Sequence, residues 1–215
     1  MTRSRPHQVD APCMHTRESD ERFTPRRLND QGDEMIKLLA AFMFALIGTT
    51  SLPTQAQSVQ RVTTVIDGAL ARAGSSNRQP YSESSLRQLC EQGYTLVIYV
   101  YKGGSPKEVS CGRGRLRYVT MTNWSRPGSI LEVTENEIRR GGKVMIHCWY
   151  GVHASNFVTS LALTRLCPIN AREASRIFRD GVPPRSLPQS RIDELADKIE
   201  AIGGSGEGNM RGCPR

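Results

Sequence analysis

The chain has 215 residues, a formal net charge of +8 and six cysteines. This length fits one domain with tails, and an apolar fraction of 38% excludes disorder of the whole chain. The positive charge is spread out without an array of aromatic and basic residues, so we expect no nucleic-acid partner. A basic chain is compatible with an anionic ligand.

Residues 1–34 are polar, highly charged and without hydrophobic periodicity. This composition predicts a disordered or spurious N-terminal extension. His7, Cys13 and His15 lie in this segment, but their spacing is poor for a metal site. We therefore expect no metal ion and no other cofactor.

The segment 35–56 has the pattern of a secretory signal peptide. One lysine precedes the apolar run 38–47, and Thr54 and Ala56 form a small-x-small cleavage site. We expect cleavage after Ala56, which makes Gln57 the new N-terminus. The protein is therefore expected to be exported, either to the periplasm or as a secreted protein.

A signal peptide normally begins near the N-terminus, so Met35 is the expected true start of translation. The uncharged stretch 38–56 barely reaches the length that spans a bilayer, and its second half is polar and contains a proline. We expect no permanent membrane span. The alternative is an uncleaved anchor with a short cytoplasmic tail.

Five cysteines follow residue 57, and disulfides persist in an oxidising compartment. They are Cys90, Cys111, Cys148, Cys167 and Cys213. The odd number predicts two disulfides and one free thiol. If Cys148 is the free thiol, the other four pair among themselves, in an order that the sequence leaves open.

We expect residues 57–203 to form one α/β domain. Residues 57–80 are mixed, and a helix capped by Ser82 or Ser84 ends at Gly93. The following predicted elements are strand 95–101, strand 116–121, a helix capped by Ser129 that ends at Gly141 and Gly142, strand 143–148, and helices at 155–167, 170–181 and 190–204. This order predicts a central, mainly parallel sheet flanked by helices. The glycine-rich tail 204–215 is expected to be flexible unless Cys213 is tied down.

The loop "HCWYGVHAS" at 147–155 joins the last predicted strand to a helix. Backbone N–H groups and the helix dipole make such a turn an anion site, and the same field stabilises a thiolate at Cys148. Gly151 lets the backbone curl, Ser155 can cap the helix or offer a hydroxyl, and His147 can fix the loop. The residues whose N–H groups are expected to cradle the anion are Trp149, Tyr150, Gly151, Val152, His153 and Ala154.

At His147, Cys148, Gly151 and Ser155 the chain resembles the cysteine-dependent protein tyrosine phosphatases, and among them the dual-specificity type. The family loop is His-Cys, five residues, Arg, then Ser or Thr, and the resemblance extends over about residues 80 to 182. It implies a dual-specificity phosphatase-like fold and a Cys148 nucleophile, assisted by His147 and Ser155. It also implies a phosphorylated or other anionic ligand, such as a phosphoprotein.

The chain departs from this family at two functional groups. Ala154 stands where the family arginine grips the phosphate oxygens, and no aspartate lies between 103 and 146 to act as the general acid. Asn123 occupies about that place, beside Trp124. Glu132 and Glu135 are the possible substitutes for the acid, and the possible distant arginines are Arg113, Arg115, Arg117 and Arg126.

These departures predict a phosphatase-like protein that is weak or inactive as an enzyme and binds an anionic or phosphorylated ligand. One alternative is an active phosphomonoester hydrolase that uses a substituted arginine. Another is a rhodanese-type sulfurtransferase, whose loop has Cys148 and Gly151 in register and His153 at the arginine position. The last is a thiol-redox or purely structural role for Cys148.

Overall fold

The structure is a computed structural model and describes residues 58–215. A six-stranded mixed sheet lies at the centre of this part of the chain. The strands are β1 (Val59–Ile66), β2 (Leu70–Ser75), β3 (Tyr94–Tyr99), β4 (Lys107–Cys111), β5 (Gly114–Thr120) and β6 (Lys143–His147). Their order across the sheet is β1-β2-β6-β3-β5-β4. The three inner pairings are parallel and the two outer ones are antiparallel. The predicted α/β fold with a mainly parallel central sheet is confirmed.

Five helices cover the two faces of this sheet. They are α1 (Glu83–Glu91), α2 (Gly128–Arg139), α3 (Ala154–Leu166), α4 (Ala171–Asp180) and α5 (Gln189–Ile202). Helix α1 packs on one face against β3, β4 and β5, whereas α2 and α3 pack on the other. Helix α3 is buried along almost its whole length, because α2, α4 and α5 pack around it.

Each central strand supplies side chains to two separate hydrophobic cores. In β3, Leu96 and Ile98 belong to the core beneath α3, while Val97 and Tyr99 belong to the core beneath α1. This alternation follows from the two-residue period of a strand that is buried on both faces. It explains why β3 and β6 are continuous apolar runs in the sequence. Cys148 follows β6 directly and therefore lies at the end of this buried strand.

Strands β1, β2 and β4 were not predicted. Strand β1 is an edge strand with exposed polar side chains at most positions, and β2 is short and rich in alanine and glycine. Strand β4, at the opposite edge, buries only Val109 fully. The edge strands β1 and β4 need little apolar surface, so their sequences lack the pattern that reveals a central strand. Strand β2 is an inner, buried strand, but its small residues form no apolar run.

The predicted helix caps had different outcomes. Ser82 caps α1 by accepting a hydrogen bond from the Ser85 N–H at 3.2 Å, and Gly93 follows with a φ of 84°. The prediction that Ser129 caps α2 is wrong. That helix begins at Gly128, two residues before the predicted start at Ile130, and Pro127 precedes it without any side-chain cap.

The disulfide prediction is confirmed, and the pairing is now defined. Cys90 is bonded to Cys111 and Cys167 to Cys213, which leaves Cys148 as the free cysteine of the described residues. The second bond ties the C-terminal tail to the end of α3. The tail is held further by backbone hydrogen bonds from Met210 to Leu166 and from Asp67 to Gly212, at 3.1 and 2.8 Å.

The predictions for the extension 1–34 and the signal peptide 35–56 lie outside the described residues. Among the helices of residues 58–215, none is both long enough and apolar enough to cross a membrane.

Candidate functional site

The cysteine loop, residues 148–153, connects the end of β6 to the start of α3. Strand β6 lies between β2 and β3, and all three run parallel, so the loop sits at the carboxyl edge of the sheet. The Cys148 N–H donates to the carbonyl of Ala73 in β2 at 3.2 Å. This edge is where open α/β sheets bind ligands, because the loops and helix N-termini converge there.

The backbone of the loop curls around the Cys148 sulfur. The Gly151 N–H donates to Sγ at 3.1 Å, and the Ser155 hydroxyl lies 3.2 Å from the same atom. Gly151 has a φ of 75°, and a Cβ at this position would lie 2.7 Å from the backbone of Ala73 and Gly74. Only glycine fits this turn. The loop backbone and the Ser155 hydroxyl are thus arranged around the sulfur of Cys148.

Ser155 does not cap α3. The residue at the N-cap is His153, which makes no side-chain cap, and Ser155 lies inside the first turn with no exposed surface. Its hydroxyl is therefore available to the Cys148 sulfur. The capping part of the prediction is wrong, and the hydroxyl is placed where it could assist the thiol.

His147 lies beneath the loop in a stack of aromatic rings. Its ring is 3.8 Å from that of Tyr81, nearly parallel to it, and 4.7 Å from that of Tyr99. Nε2 is 3.1 Å from the Tyr118 hydroxyl. Burial lowers the pKa of His147 to about 3, so the imidazole is neutral at neutral pH. His147 can orient the loop but carries no charge to the anion.

Two exposed aromatic side chains border the loop. The Trp149 indole N–H donates to the Tyr99 hydroxyl at 2.8 Å, and its ring packs 4.7 Å from that of Tyr101. Tyr150 lies under the Arg78 guanidinium, whose carbon is 5.0 Å from the ring centroid. These contacts hold aromatic surface open to solvent beside the thiol.

A pocket of 350 Å³ adjoins this border. It is lined by Tyr101, Lys102, Thr122 and Trp149. The lysine gives the pocket a positive charge, and the two rings give it flat apolar walls. An anion with an aromatic group would find both features here.

The end of the loop is buried and carries no positive charge. Ala154 has no exposed surface and Val152 is 6% exposed. His153 is half-buried, and burial together with the charge of Arg61 lowers the pKa of its imidazole. A neutral His153 is a poor substitute for an arginine, which disfavours the sulfurtransferase alternative.

The sequence analysis did not predict Arg72, the buried arginine that contacts the cysteine loop. Arg72, in β2, is 8% exposed, and its Nη1 donates to the Gly151 carbonyl at 3.2 Å. Burial lowers the pKa of Arg72, and the negative charge of Cys148 offsets part of that shift. A positive charge thus stands behind the loop. The sequence gives only a weak signal for this residue, a lone arginine among the alanines of β2.

Arg72 also fixes the orientation of one loop peptide. None of the described peptide bonds is cis, and a trans peptide points its carbonyl and N–H in opposite directions. With the Gly151 carbonyl held by Arg72, the Val152 N–H faces away from the guanidinium. The arginine therefore supports the loop from outside and does not take the place of the family arginine.

Two of the four arginines proposed from the sequence are engaged in ion pairs, and the other two are exposed. Arg115 and Arg117 form ion pairs with carboxylates at 2.9 and 2.7 Å, and Arg113 and Arg126 are exposed. Of the two glutamates considered as general acids, Glu135 forms an ion pair with Arg165 at 3.0 Å and Glu132 is exposed on α2. Asn123 is exposed, and its neighbour Trp124 packs edge-on against Phe157.

Within 58–215, no group of three His, Cys, Asp or Glu side chains could hold a metal ion.

No family model and no curated protein matches this sequence. Solved structures do match it. Tk-PTP in the active form is 21% identical with a TM-score of 0.44, over 67% of this chain and 97% of that one. The human tyrosine phosphatase-like serine/threonine/tyrosine-interacting protein is 16% identical with a TM-score of 0.45, over 66% and 96%. A putative phosphatase from Shewanella putrefaciens CN-32 is 14% identical with a TM-score of 0.47, over 68% and 93%.

The names of the last two structures contain the word phosphatase. The similarity concerns the fold and assigns this chain no activity.

Proposed function

We propose that this protein binds a phosphorylated or otherwise anionic ligand at the cysteine loop and is weak or inactive as a phosphatase. The observation that carries the proposal is the hydrogen bond from the Gly151 N–H to the Cys148 sulfur, at 3.1 Å. It shows that the loop curls around the sulfur directly before a buried helix. A loop of this shape gathers N–H donors and the positive end of the helix dipole around one point.

The low activity follows from two missing groups. Ala154 is buried at the arginine position, so nothing there can grip two oxygens of the transition state. A preorganised donor of this kind is typically worth about 3 kcal/mol or more of transition-state stabilisation. None of the acids considered is placed as a free general acid, because Glu135 is paired and Glu132 lies exposed on a helix.

The border of the loop favours an aromatic phosphate as ligand. Trp149 is 39% and Tyr150 is 37% exposed, although both are large apolar side chains. The adjoining pocket adds Lys102. A phosphotyrosine side chain on a protein partner would place its phosphate in the loop and its ring against Trp149, and stacking adds affinity to the ionic contact.

One observation supports a second candidate, a slow phosphomonoester hydrolase. The buried Arg72 guanidinium donates from Nη1 to the Gly151 carbonyl at 3.2 Å, which puts a positive charge next to the loop. This charge would attract a phosphate into the loop, although Nη1 itself is engaged by Gly151. Hydrolysis by this route would lack the bidentate grip and would be slow.

Export is part of the proposal. The two disulfides of the domain are of the kind that form and persist in oxidising compartments. They support the signal-peptide interpretation of residues 35–56, with a periplasmic or secreted mature protein.

Phenylphosphonate is a suitable probe of the binding function, because it carries an aromatic ring and an anion but cannot be hydrolysed. Titration of the purified protein, disulfides intact, should shift the backbone amide NMR signals of residues 149–154. Ser155→Ala should weaken this binding, and Ser160→Ala, on the same buried helix, should not. If phenylphosphonate leaves the loop amides unmoved, the binding function is refuted.

A further inference from the structure

A second cavity, here called the Arg72 cavity, lies on the side of Arg72 that faces β1, α3 and α4. Its volume is 190 Å³, and it is bounded by β1 and β2 on one side and by α3 and α4 on the other. Arg72, Asn156 and Ser160 supply polar groups, and Val65, Leu163 and Ile177 supply apolar surface. The lining includes no residue of the loop 148–153. The exposed Thr63 and Thr64 give the cavity a side toward solvent.

The guanidinium of Arg72 is a buried positive charge, and Cys148 interacts with it electrostatically. Its contacts are the backbone carbonyls of Gly151 at 3.2 Å and Gly181 at 3.5 Å. Among residues 58–215, no carboxylate forms an ion pair with it. A guanidinium has five N–H donors, so most remain for another acceptor. Burial of a charge without a carboxylate partner is costly, and an anion in the cavity would relieve that cost.

Ser160 offers a second polar contact. Its side chain is 1% exposed, and its Oγ has no hydrogen-bond partner among the described residues. A buried hydroxyl without a partner is unusual in a native protein and calls for a ligand or a water. Ser160 and Arg72 line the same cavity, so one ligand could satisfy both.

Gly181, directly after α4, leaves room for the guanidinium of Arg72. A Cβ on Gly181 would lie 2.8 Å from Nη2 of Arg72 and 2.9 Å from Nδ2 of Asn156. The Asn156 amide is fixed in turn by donating to the Phe178 carbonyl at 2.9 Å. The guanidinium is thus held in a prepared position beside the cavity, as a binding site requires.

We propose that the Arg72 cavity binds a small carboxylate with a short hydrocarbon tail, its carboxylate on the guanidinium of Arg72 and the hydroxyl of Ser160. The planar fork of arginine matches the two oxygens of a carboxylate. Val65, Leu163 and Ile177 match the tail, and the volume limits the ligand to a few carbon atoms. No residue of the loop 148–153 lines the cavity, although Arg72 also contacts the Gly151 carbonyl, and carboxylate binding here does not require phosphate binding in the loop.

Butyrate is the probe, and butyramide is its neutral control of nearly the same shape. The test uses the full chain with both disulfides intact and is followed by NMR at the amides of residues 159–163, which belong to the part of α3 that lines the cavity. Butyrate should shift these amides with a Kd on the order of 1 mM, as expected for six non-hydrogen atoms. Butyramide should not bind. Failure of butyrate to shift them, or equal binding of butyramide, overturns the proposal.

Three variants assign the binding to this cavity. Arg72→Gln should weaken butyrate binding about tenfold or more, because it removes the charge-assisted contacts. Ser160→Val should weaken it by filling the cavity, and it keeps Arg72 in place if the first variant unfolds. Arg87→Gln removes an exposed arginine on α1 and should change nothing. Unchanged butyrate binding in a folded Ser160→Val protein would overturn the assignment.

Discussion

The Nη1 atom of Arg72 lies 3.2 Å from the carbonyl oxygen of Gly151, although 79 residues separate them in the chain. This contact joins β2 to the loop that follows β6, and Gly151 in turn donates its N–H to the Cys148 sulfur at 3.1 Å. The shape of the loop is therefore set jointly by its own glycine and by a charge from the neighbouring strand.

Arg72 should act on the cysteine loop as a positioning residue. Arg72→Gln removes the charge and the anchor of the Gly151 carbonyl, so phenylphosphonate binding at the amides of residues 149–154 should weaken about tenfold. Arg72→Lys keeps the charge and should retain part of the affinity. If folded Arg72→Gln binds phenylphosphonate as the wild type does, Arg72 has no role in the loop.

Gly151→Ala should destabilise the domain more than a matched glycine substitution. The new Cβ meets the backbone of Ala73 and Gly74 at 2.7 Å, in addition to the strain of a positive φ. Gly68 has a similar φ, 69°, with nothing within 4 Å, so Gly68→Ala reports the strain alone. Strain of this kind costs about 1 kcal/mol, and the clash should add at least as much again. Urea unfolding of both variants measures the difference, and equal losses would refute the close approach.

Stability should fall in mild acid because of His147. Burial lowers its folded-state pKa to about 3, while the unfolded chain has the ordinary value near 6.5. Between these values the unfolded state binds the extra proton, so stability is lost as the pH falls from about 6.5 toward 3, by up to about 1.4 kcal/mol per pH unit. Urea midpoints measured across this range should drop less steeply in His147→Gln. A variant with the wild-type pH dependence would contradict the buried neutral imidazole.

The disulfide between Cys167 and Cys213 should contribute more stability than the one between Cys90 and Cys111. The first closes a separation of 46 residues and the second one of 21. The loop-entropy model gives about 4 kcal/mol for the former and about 3 kcal/mol for the latter. Guanidinium unfolding of the two paired Cys→Ala variants tests the order. A smaller loss for the Cys167 and Cys213 variant would show that the tail adds little to the fold.

Export predicts a defined N-terminus. The mature protein recovered from the periplasm or the medium should begin at Gln57, because signal peptidase cleaves after a small-x-small site. Intact-mass measurement of the recovered protein checks this directly. Recovery of an uncleaved chain from the cytoplasm alone would contradict both the signal peptide and the location.

The sequence predicted the parts of the fold that have strong periodicity. Strands β3 and β6 are apolar because both faces are covered, and α4 and α5 carry clear apolar stripes, so their patterns survive without a structure. The hairpin of β1 and β2 could not be predicted in this way. Strand β1 exposes most of its side chains at an edge, and β2 consists mainly of small residues. The sheet therefore has more strands than its hydrophobic pattern indicates.

The cysteine loop could be located from the sequence, because its residues are consecutive between an apolar strand and an apolar helix. The side chains that hold the loop in place could not be located in this way. Arg72 and the tyrosines around His147 come from β2, β3, β5 and the segment before α1, and only the sheet order brings them together. The pairing of the cysteines depended on the same long-range geometry. Residue types at a site can be read locally, whereas its charge balance depends on the whole fold.

The measurement that tests the central claim most directly is phosphate release from a small aryl phosphate. Wild-type protein, Cys148→Ser and Ala154→Arg are compared under the same conditions, with Ala154→Met as a control for the added bulk. We predict that the wild type releases phosphate at or barely above the rate of Cys148→Ser, and that Ala154→Arg gains activity that Ala154→Met does not. Rapid, saturable release by the wild type that Cys148→Ser abolishes would contradict the account and establish an active phosphatase.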